Sequence, residues 1–156
     1  MGCSCGEKSQ QTCHDFFEET VAKEFSDYRF GRIHRLTVDT YSLQHPQRYM
    51  ISAKSFAAHL TGMCCAMEFA DDPHLLKLLQ HWLSGKKQLQ KPPLLENVGS
   101  LTISHVVYAA TGAEHIRLVR EWAENVWQAY AVYHDLAKEW IAAARNQRQA
   151  KSRGVR

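Results

Sequence analysis

Three cysteines near the beginning of the chain have the residue type and the spacing from which a metal site can be built. Cys3 and Cys5 lie on a short segment of small and polar residues, and Cys13 follows at the predicted start of a helix. Structural zinc sites use four tetrahedral ligands, for which thiolates are preferred. The helix N-terminus also favours the thiolate form of Cys13. We therefore predict that these thiols bind zinc and fasten the N-terminal arm to the helical core.

The alternative for the same cysteines is a flexible arm with free thiols. Cys3 and Cys5 are separated by one residue, whereas a zinc knuckle has two, and the sequence contains only one half of a zinc finger. The two hypotheses differ in whether a fourth ligand joins the thiols. The candidates for that ligand are His14, His45, His59 and His134.

The candidate histidines differ in their predicted positions. His45 lies at a helix end beside a polar loop, a common place for functional side chains. His34 shares its helical stripe but lies about 16 Å away at 1.5 Å per residue, so these two histidines cannot bind one ion. His59 and His134 lie beside apolar faces of their helices. For each of them a hydrogen-bonded structural role is the alternative to metal binding.

A second hypothesis is an enzyme with an open metal site. Three imidazoles from three helices, those of His45, His59 and His134, could bind one ion and leave a position for water or a thiol substrate. Such a site would suit a metal-dependent hydrolase or thiol transferase built on a helical bundle, an analogy at the level of the fold only. No His-x-x-x-His pattern supports it locally. The sequence therefore does not decide whether the protein is an enzyme.

Asp39, Tyr41 and Glu68 are predicted to lie around such a site. Asp39 could orient a histidine ligand by accepting a hydrogen bond from its second nitrogen. Its spacing of four residues from Arg35 also fits a surface ion pair. Glu68 could act as a base near the site, and a solvated carboxylate at a helix end is the alternative. Cys64 and its neighbour Cys65 point about 100° apart on a helix, so they are not expected to bind one ion together.

Composition and charge limit the classes of protein to which the chain can belong. Five cysteines, an odd number with two adjacent, are a poor disulfide framework and fit reduced thiols in a cytoplasm. No apolar run approaches the length of a membrane span, and no secretory segment is recognisable. The last twelve residues carry five basic residues and no acid, so the other 144 sum to 14 − 16 = −2. Nucleic-acid binding by the body is therefore not expected, whereas partner binding through the basic tail is a third hypothesis.

Hydrophobic periodicity and capping residues predict an all-α, compact single domain of five or six helices over 1–145, with an irregular cysteine-containing arm at 1–11. Pro46 is expected to end a helix, because the residue before proline is pushed out of the helical region. Asp72 before Pro73, and Thr111 with Glu114, are typical helix starts. The predicted helices are 13–25, 29–44, 53–69, 73–85, 102–110 and 113–145, with loops at 47–52 and 86–99 and a basic, disordered tail at 146–156.

Several stretches together resemble a bacterial family of unknown function, DUF5946. The resemblance covers about residues 3–141, and it implies a helical cytosolic protein without implying an activity. The family begins with Cys-x-x-Cys-Gly, whereas this chain has Cys3-Ser4-Cys5-Gly6. The stretches that carry the resemblance are Cys13, His34 to Tyr41, Gln44-His45-Pro46, Ser55 to Leu60, Glu68, Trp122 to Trp127 and Tyr133-His134.

Overall fold

A computed structural model describes residues 2–154, and within them the chain forms α-helices, two short 3-10 turns and no strand. The all-α prediction is confirmed. The helices are more numerous and shorter than predicted, eight instead of five or six in the described range. They are α1 (Gln10–Ser26), α2 (Tyr28–Gly31), α3 (His34–Gln44), α4 (Pro46–Tyr49), α5 (Ala53–Glu68), α6 (Pro73–Ser84), α7 (Gly112–Ala129) and α8 (His134–Arg153).

Helix starts with a capping side chain lie close to where the sequence predicts them. The carboxylate of Asp72 accepts from the His74 amide at 2.9 Å at the start of α6. Thr111 accepts from the Glu114 amide at 3.1 Å at the start of α7. The first helix is the exception, because Ser9 caps it, and α1 therefore begins at Gln10 and not at the predicted residue 13. The three added residues place Cys13 one turn inside the helix.

The predicted helix 29–44 is wrong as a single element, since the chain bends at Arg32 and Ile33 between α2 and α3. The bend brings the backbone of Gly31 against α1, where a Cβ atom on this residue would lie 2.4 Å from the carbonyl oxygen of Glu24. Local periodicity does not reveal this approach. The consequence is that α3 begins at His34 and points its end, Gln44 and His45, towards the N-terminal arm.

The predicted helix 113–145 is also two helices, α7 and α8, joined by a 3-10 turn at Ala131–Tyr133. Tertiary hydrogen bonds hold this turn. The hydroxyl of Tyr130 donates to the Leu43 carbonyl oxygen at 2.6 Å, and the hydroxyl of Tyr133 donates to the Pro93 carbonyl oxygen at 2.5 Å. Contacts with distant residues therefore outweigh the local preference for one continuous helix.

Two short stretches differ from the prediction in opposite directions. The predicted helix 102–110 contains only a 3-10 turn, Ile103–His105, although Ile103, Val106 and Val107 are buried at helical spacing. The predicted loop 47–52 contains most of α4, a single turn that begins at Pro46. Proline at the first helical position has a dihedral angle suited to a new turn, so Pro46 both ends α3 and starts α4.

The basic tail differs as well. Helix α8 extends to Arg153, so the stretch 146–153 is helical where the sequence analysis expects disorder, and Val155 and Arg156 lie outside the described residues. This stretch consists mainly of strong helix formers, alanine, glutamine, arginine and lysine. Lys151 and Arg153 in its last turn also interact favourably with the negative end of the helix dipole.

The core forms where α3, α5 and α7 pack together, with α6 and α8 completing the side of α5. A buried amide ties this core to the loop before the 3-10 turn. The Gln44 side chain accepts from Trp122 Nε1 at 2.9 Å and donates to the carbonyl oxygens of Leu101 and Val98 at 2.7 and 3.1 Å. Because a buried amide without partners is costly, these bonds fix the end of α3. The residue that follows Gln44 is His45.

Within residues 2–154, no helix has both the length and the apolar character needed to cross a membrane.

Candidate metal centre

The N-terminal arm folds into a tight turn that carries two of the cysteines. The Gly6 amide donates to the Cys3 carbonyl oxygen at 3.0 Å, and the Cys3 amide donates to the Glu7 carbonyl oxygen at 2.9 Å. Gly6 has a φ angle of +98°, a left-handed conformation that glycine adopts without steric cost. The glycine therefore allows the chain to reverse immediately after Cys5.

Two contacts attach this turn to the rest of the molecule. The carboxylate of Glu7 accepts from the hydroxyl of Thr102 at 2.6 Å, which ties the arm to the 3-10 turn. The arm then enters α1 through the cap of Ser9, and Cys13 lies on the buried side of the first turn with 1% of its surface exposed. The arm and the start of α1 thus bring the three thiols close together.

His45 supplies the fourth donor from the end of α3. Its Nδ1 donates to the Tyr41 carbonyl oxygen at 2.7 Å, one helical turn earlier. Its ring also packs on the Tyr41 ring, with 4.0 Å between the centroids. A histidine that donates through one nitrogen presents a lone pair on the other, and metal-binding histidines are commonly oriented in this way. The free nitrogen, Nε2, faces the thiols.

The four donor atoms form one buried group. The three sulfurs of Cys3, Cys5 and Cys13 and the Nε2 atom of His45 all lie within 4.8 Å of one another. Nε2 is 3.1 Å from the Cys3 sulfur and 3.2 Å from the Cys13 sulfur, and 3.5 Å separates the sulfurs of Cys5 and Cys13. The edges of a tetrahedral zinc site are about 3.8 Å between sulfurs and about 3.5 Å between sulfur and nitrogen, given bonds of about 2.3 and 2.0 Å. A zinc ion would therefore lengthen these three separations by only a few tenths of an ångström.

The electrostatics of the group without an ion show how closely the thiols interact. A hydrogen bond from Cys13 lowers the pKa of Cys5 to about 4, although burial opposes this. The same hydrogen bond raises the pKa of Cys13, and burial raises it further. Burial also raises the pKa of Cys3, against the backbone amide of Cys5, which donates to its sulfur. One negative charge is therefore already favoured at this place, and a cation would replace the protons on the other two thiols.

A disulfide is not formed within this group. The sulfurs of Cys5 and Cys13 are 3.5 Å apart, far beyond the bonded distance of about 2.05 Å. All five cysteines are free thiols in the structure.

Comparison with known proteins identifies the family. The profile of a family of unknown function, DUF5946, matches residues 1–131. The chain belongs to DUF5946. Searches of curated proteins and of solved structures find no match. The matched range of this DUF5946 protein contains all four donors of the metal centre, and it ends at the turn before α8.

Of the six metal ligands predicted for this DUF5946 protein, the structure brings together Cys3, Cys5, Cys13 and His45. Tyr41 lies beside them, because its carbonyl oxygen and its ring both contact His45. Burial raises the pKa of the Tyr41 phenol, and the adjacent Cys13 raises it further.

His59 does not join this group, because its Nδ1 donates to Asp39 Oδ1 at 3.0 Å. Asp39 also accepts from Arg35 at 2.6 Å, so Arg35 and His59 share one buried carboxylate. The histidine that Asp39 contacts is not among the four donors. Burial raises the pKa of Asp39, and its bond with His59 opposes this. The carboxylate fits here because Gly62 faces it, and a Cβ on that glycine would lie 2.4 Å from the Asp39 oxygen.

His134 lies at the start of α8, also apart from the thiols. It stacks on Trp127 with 3.7 Å between the ring centroids, and its Nε2 donates to the Trp127 carbonyl oxygen at 2.8 Å. Glu68 accepts from the indole nitrogen of Trp127 at 3.1 Å. The remaining candidate, His14, lies 3.2 Å from the Glu18 carboxylate. Because His45 already uses both nitrogens elsewhere, the structure does not form the alternative site of His45, His59 and His134.

A second buried polar cluster was missed by sequence reasoning. The Glu24 carboxylate accepts from Thr37 at 2.5 Å and from the two histidines His34 and His115, each at 2.7 Å. Glu24 and His115 are almost fully buried. No pattern predicts this cluster, since its members come from three helices. Its bonds tie α1, α3 and α7 together near the end of α1 and the start of α3, away from the four donors, which lie near the start of α1 and the end of α3.

Proposed function

We propose that this protein binds one zinc ion through Cys3, Cys5, Cys13 and His45, and that the ion fastens the N-terminal arm to the helical bundle. The observation that carries the proposal is the mutual approach of three sulfurs and one imidazole nitrogen to within 4.8 Å, all buried. These residues come from the arm, from α1 and from the end of α3. Three buried thiols that meet one imidazole nitrogen are a usual ligand set for structural zinc.

The donor set favours zinc over other common cations. Calcium and magnesium prefer oxygen ligands, and the group contains none. Three thiolates and one imidazole are a usual structural set for zinc, whose preferred geometry is tetrahedral. Four protein ligands complete that geometry. A centre of this kind stabilises structure and leaves no position for an activated water.

The ion would act mainly on the arm. The turn of Cys3 to Glu7 contacts the bundle through the bond between Glu7 and Thr102 and through its two sulfurs. A bound cation would add bonds to α1 through Cys13 and to α3 through His45. The arm would then be as rigid as the helices it contacts. We infer that metal binding determines whether the N-terminal arm covers the start of α1 and the end of α3.

Free thiols at all five cysteines suit a reducing compartment. We therefore propose the cytoplasm of a bacterium as the location, and a single domain as the organisation.

The direct test is the metal content of protein purified without chelator. We expect about one equivalent of zinc, and cobalt in its place should give the intense visible absorption of a tetrahedral thiolate complex. Cys13→Ser and His45→Ala should each lose the ion. Cys64→Ala and His74→Ala are matched controls, a buried thiol and an exposed imidazole outside the site, and should retain it. Less than about a tenth of an equivalent, with no uptake on titration, would refute the proposal, since structural zinc sites bind tightly at neutral pH.

A further inference from the structure

A cleft of about 480 Å³ opens beside the metal centre, next to α4. Cys3 and His45 line this cleft, whereas Cys5 and Cys13 are not among its lining residues. The exposed fractions agree, at 8% for Cys3, 4% for Cys5 and 1% for Cys13. The volume suits a small molecule. Cys3 is therefore the sulfur that such a molecule would meet first.

The lining of the cleft carries one fixed positive charge and no carboxylate. Arg48 provides the charge; it is exposed, and its guanidinium lies over the Tyr49 ring, 5.5 Å from the centroid. Arginine is well suited to binding carboxylates and phosphates, because its planar fork matches their oxygens. The other side chains on the walls are uncharged amides, hydroxyls and apolar groups, among them Ser4, Gln10, Gln47 and Ile51.

We propose that Cys3 is a nucleophile that accepts an alkyl group from a small anionic electrophile held in this cleft by Arg48. This inference rests on the proposed zinc centre, because a coordinated thiol is deprotonated. The formal charge of a divalent ion with three thiolates and one neutral imidazole is 2 − 3 = −1. A centre with excess negative charge leaves its sulfurs electron-rich. Cys3 combines that property with access to the cleft.

The transfer needs no oxidant and no other reactant. The Cys3 sulfur gives an electron pair to the electrophilic carbon, and a sulfur–carbon bond forms. The bond between that carbon and its leaving group breaks, and the leaving group departs as an anion with the bonding pair. Cys3 changes from a thiolate to a neutral thioether, and the formal charge of the centre becomes 2 − 2 = 0. The electrophile is therefore a small molecule with a carboxylate or phosphate and an alkyl carbon bearing a leaving group.

The modification would also loosen the arm. A thioether is a weaker ligand for zinc than a thiolate, because zinc sites are built from deprotonated cysteine. Cys3 is the ligand closest to the beginning of the chain, so the turn that contains Cys3 and Cys5 would lose one of its two bonds to the ion. Alkylation of Cys3 would therefore change how the N-terminal turn covers the surface beside α4.

The test compares two alkylating reagents of similar size, iodoacetate with a negative charge and iodoacetamide without one. Zinc-loaded protein is treated with each, and adducts are located by peptide mass spectrometry. We expect the first adduct at Cys3. We expect the iodoacetate-to-iodoacetamide rate ratio at Cys3 to exceed that of a free model thiol about fivefold, the effect of one favourable charge pair in water. Arg48→Gln should return the ratio to that of the model thiol, and Arg32→Gln, a change at an exposed arginine outside the cleft, should not.

Zinc is measured in the same samples before the reagent is added. Absence of zinc would refute the proposed function, and this inference with it. Bound zinc together with a Cys3 that reacts no faster than Cys5 or Cys13 would refute this inference alone. Equal charge preference in the native protein and in Arg48→Gln would also overturn it, because the anion would then be bound without the arginine.

Discussion

The Nδ1 atom of His45 donates to the carbonyl oxygen of Tyr41, 2.7 Å away, and this bond determines which ring nitrogen faces the three thiols. The acceptor belongs to the last part of α3, and the histidine follows its final residue. The backbone therefore holds the imidazole in one tautomer before any ion arrives.

The first prediction concerns the ring of Tyr41, which stacks on His45 and on Phe17. Tyr41→Leu should weaken zinc binding about 10- to 100-fold, the usual effect of losing a group that supports a ligand. Tyr41→Phe keeps the ring and should bind nearly as tightly as the native protein. Competition with a chromophoric chelator measures both affinities. Equal losses in the two variants would show that the hydroxyl matters and the stacking does not.

The second prediction concerns Gly62, which faces the Asp39 carboxylate across α5 and α3. A Cβ there would lie 2.4 Å from Asp39 Oδ2 and 3.0 Å from the Arg35 guanidinium. Gly62→Ala should lower the free energy of unfolding by about 1–3 kcal/mol through overpacking, although alanine normally stabilises a helix. Gly85→Ala is the control, since its nearest neighbour would be 3.6 Å away. Urea denaturation measures both, and a stabilised Gly62→Ala would contradict the structure.

The third prediction concerns Glu24, the buried acceptor for Thr37, His34 and His115. Glu24→Ala should lower the free energy of unfolding by about 3–5 kcal/mol, because it leaves buried partners of a charged group unpaired. Glu19→Ala, at an exposed position on the same helix, should have little effect. Thermal and urea unfolding provide the measurement. A small loss for Glu24→Ala would mean that water replaces the carboxylate at little cost.

The fourth prediction concerns alkaline pH. Burial raises the pKa of Cys64 to about 12 and that of Cys65 to about 11, from the ordinary value of 9.0. As the pH rises above about 9, these two thiols lose their protons in the unfolded chain before they do so in the folded protein. The folded state therefore binds more protons in this pH range. Stability should therefore be full below about pH 9 and should fall as the pH rises above it.

The control for this pH dependence is Cys64→Ala, which removes one of the two buried thiols. Its stability should fall less steeply above about pH 9 than that of the native protein, even if the variant is less stable at neutral pH. Unfolding by urea at a series of pH values gives both slopes. Parallel curves would show that other groups cause the alkaline loss.

The sequence is sufficient to predict the three thiols of the candidate metal centre, but it does not identify the histidine that lies with them. Cys3, Cys5 and Cys13 lie close together in the chain, so their proximity in space follows from a short arm and one helical turn. His45 is 42 residues from Cys3, and its place at a helix end beside a polar loop is not enough to select it over His59 or His134 as the ligand. The distinction depends on which neighbour each imidazole meets, Tyr41, Asp39 or Trp127, and only the packing of the helices determines that.

The same division applies to the helices. Starts with a clear cap, such as Asp72 and Thr111, were predicted well because the signal lies within four residues. The bend after Gly31 and the turn at Tyr130 were missed, since both depend on partners far along the chain, Glu24 in one case and Leu43 in the other. The cleft beside Arg48 has no local pattern at all.

The separation of 42 residues between Cys3 and His45 would give a bound ion a further physical effect. A cation coordinated by both would close a loop of that length, as a disulfide does, and the loss of chain entropy in the unfolded state would correspond to about 4 kcal/mol by the usual loop-length relation. Unlike a disulfide, this cross-link can be removed by a chelator and restored without any oxidant. The availability of metal would then set how readily the beginning of the molecule unfolds, while the helices beyond α4 keep their own cohesion.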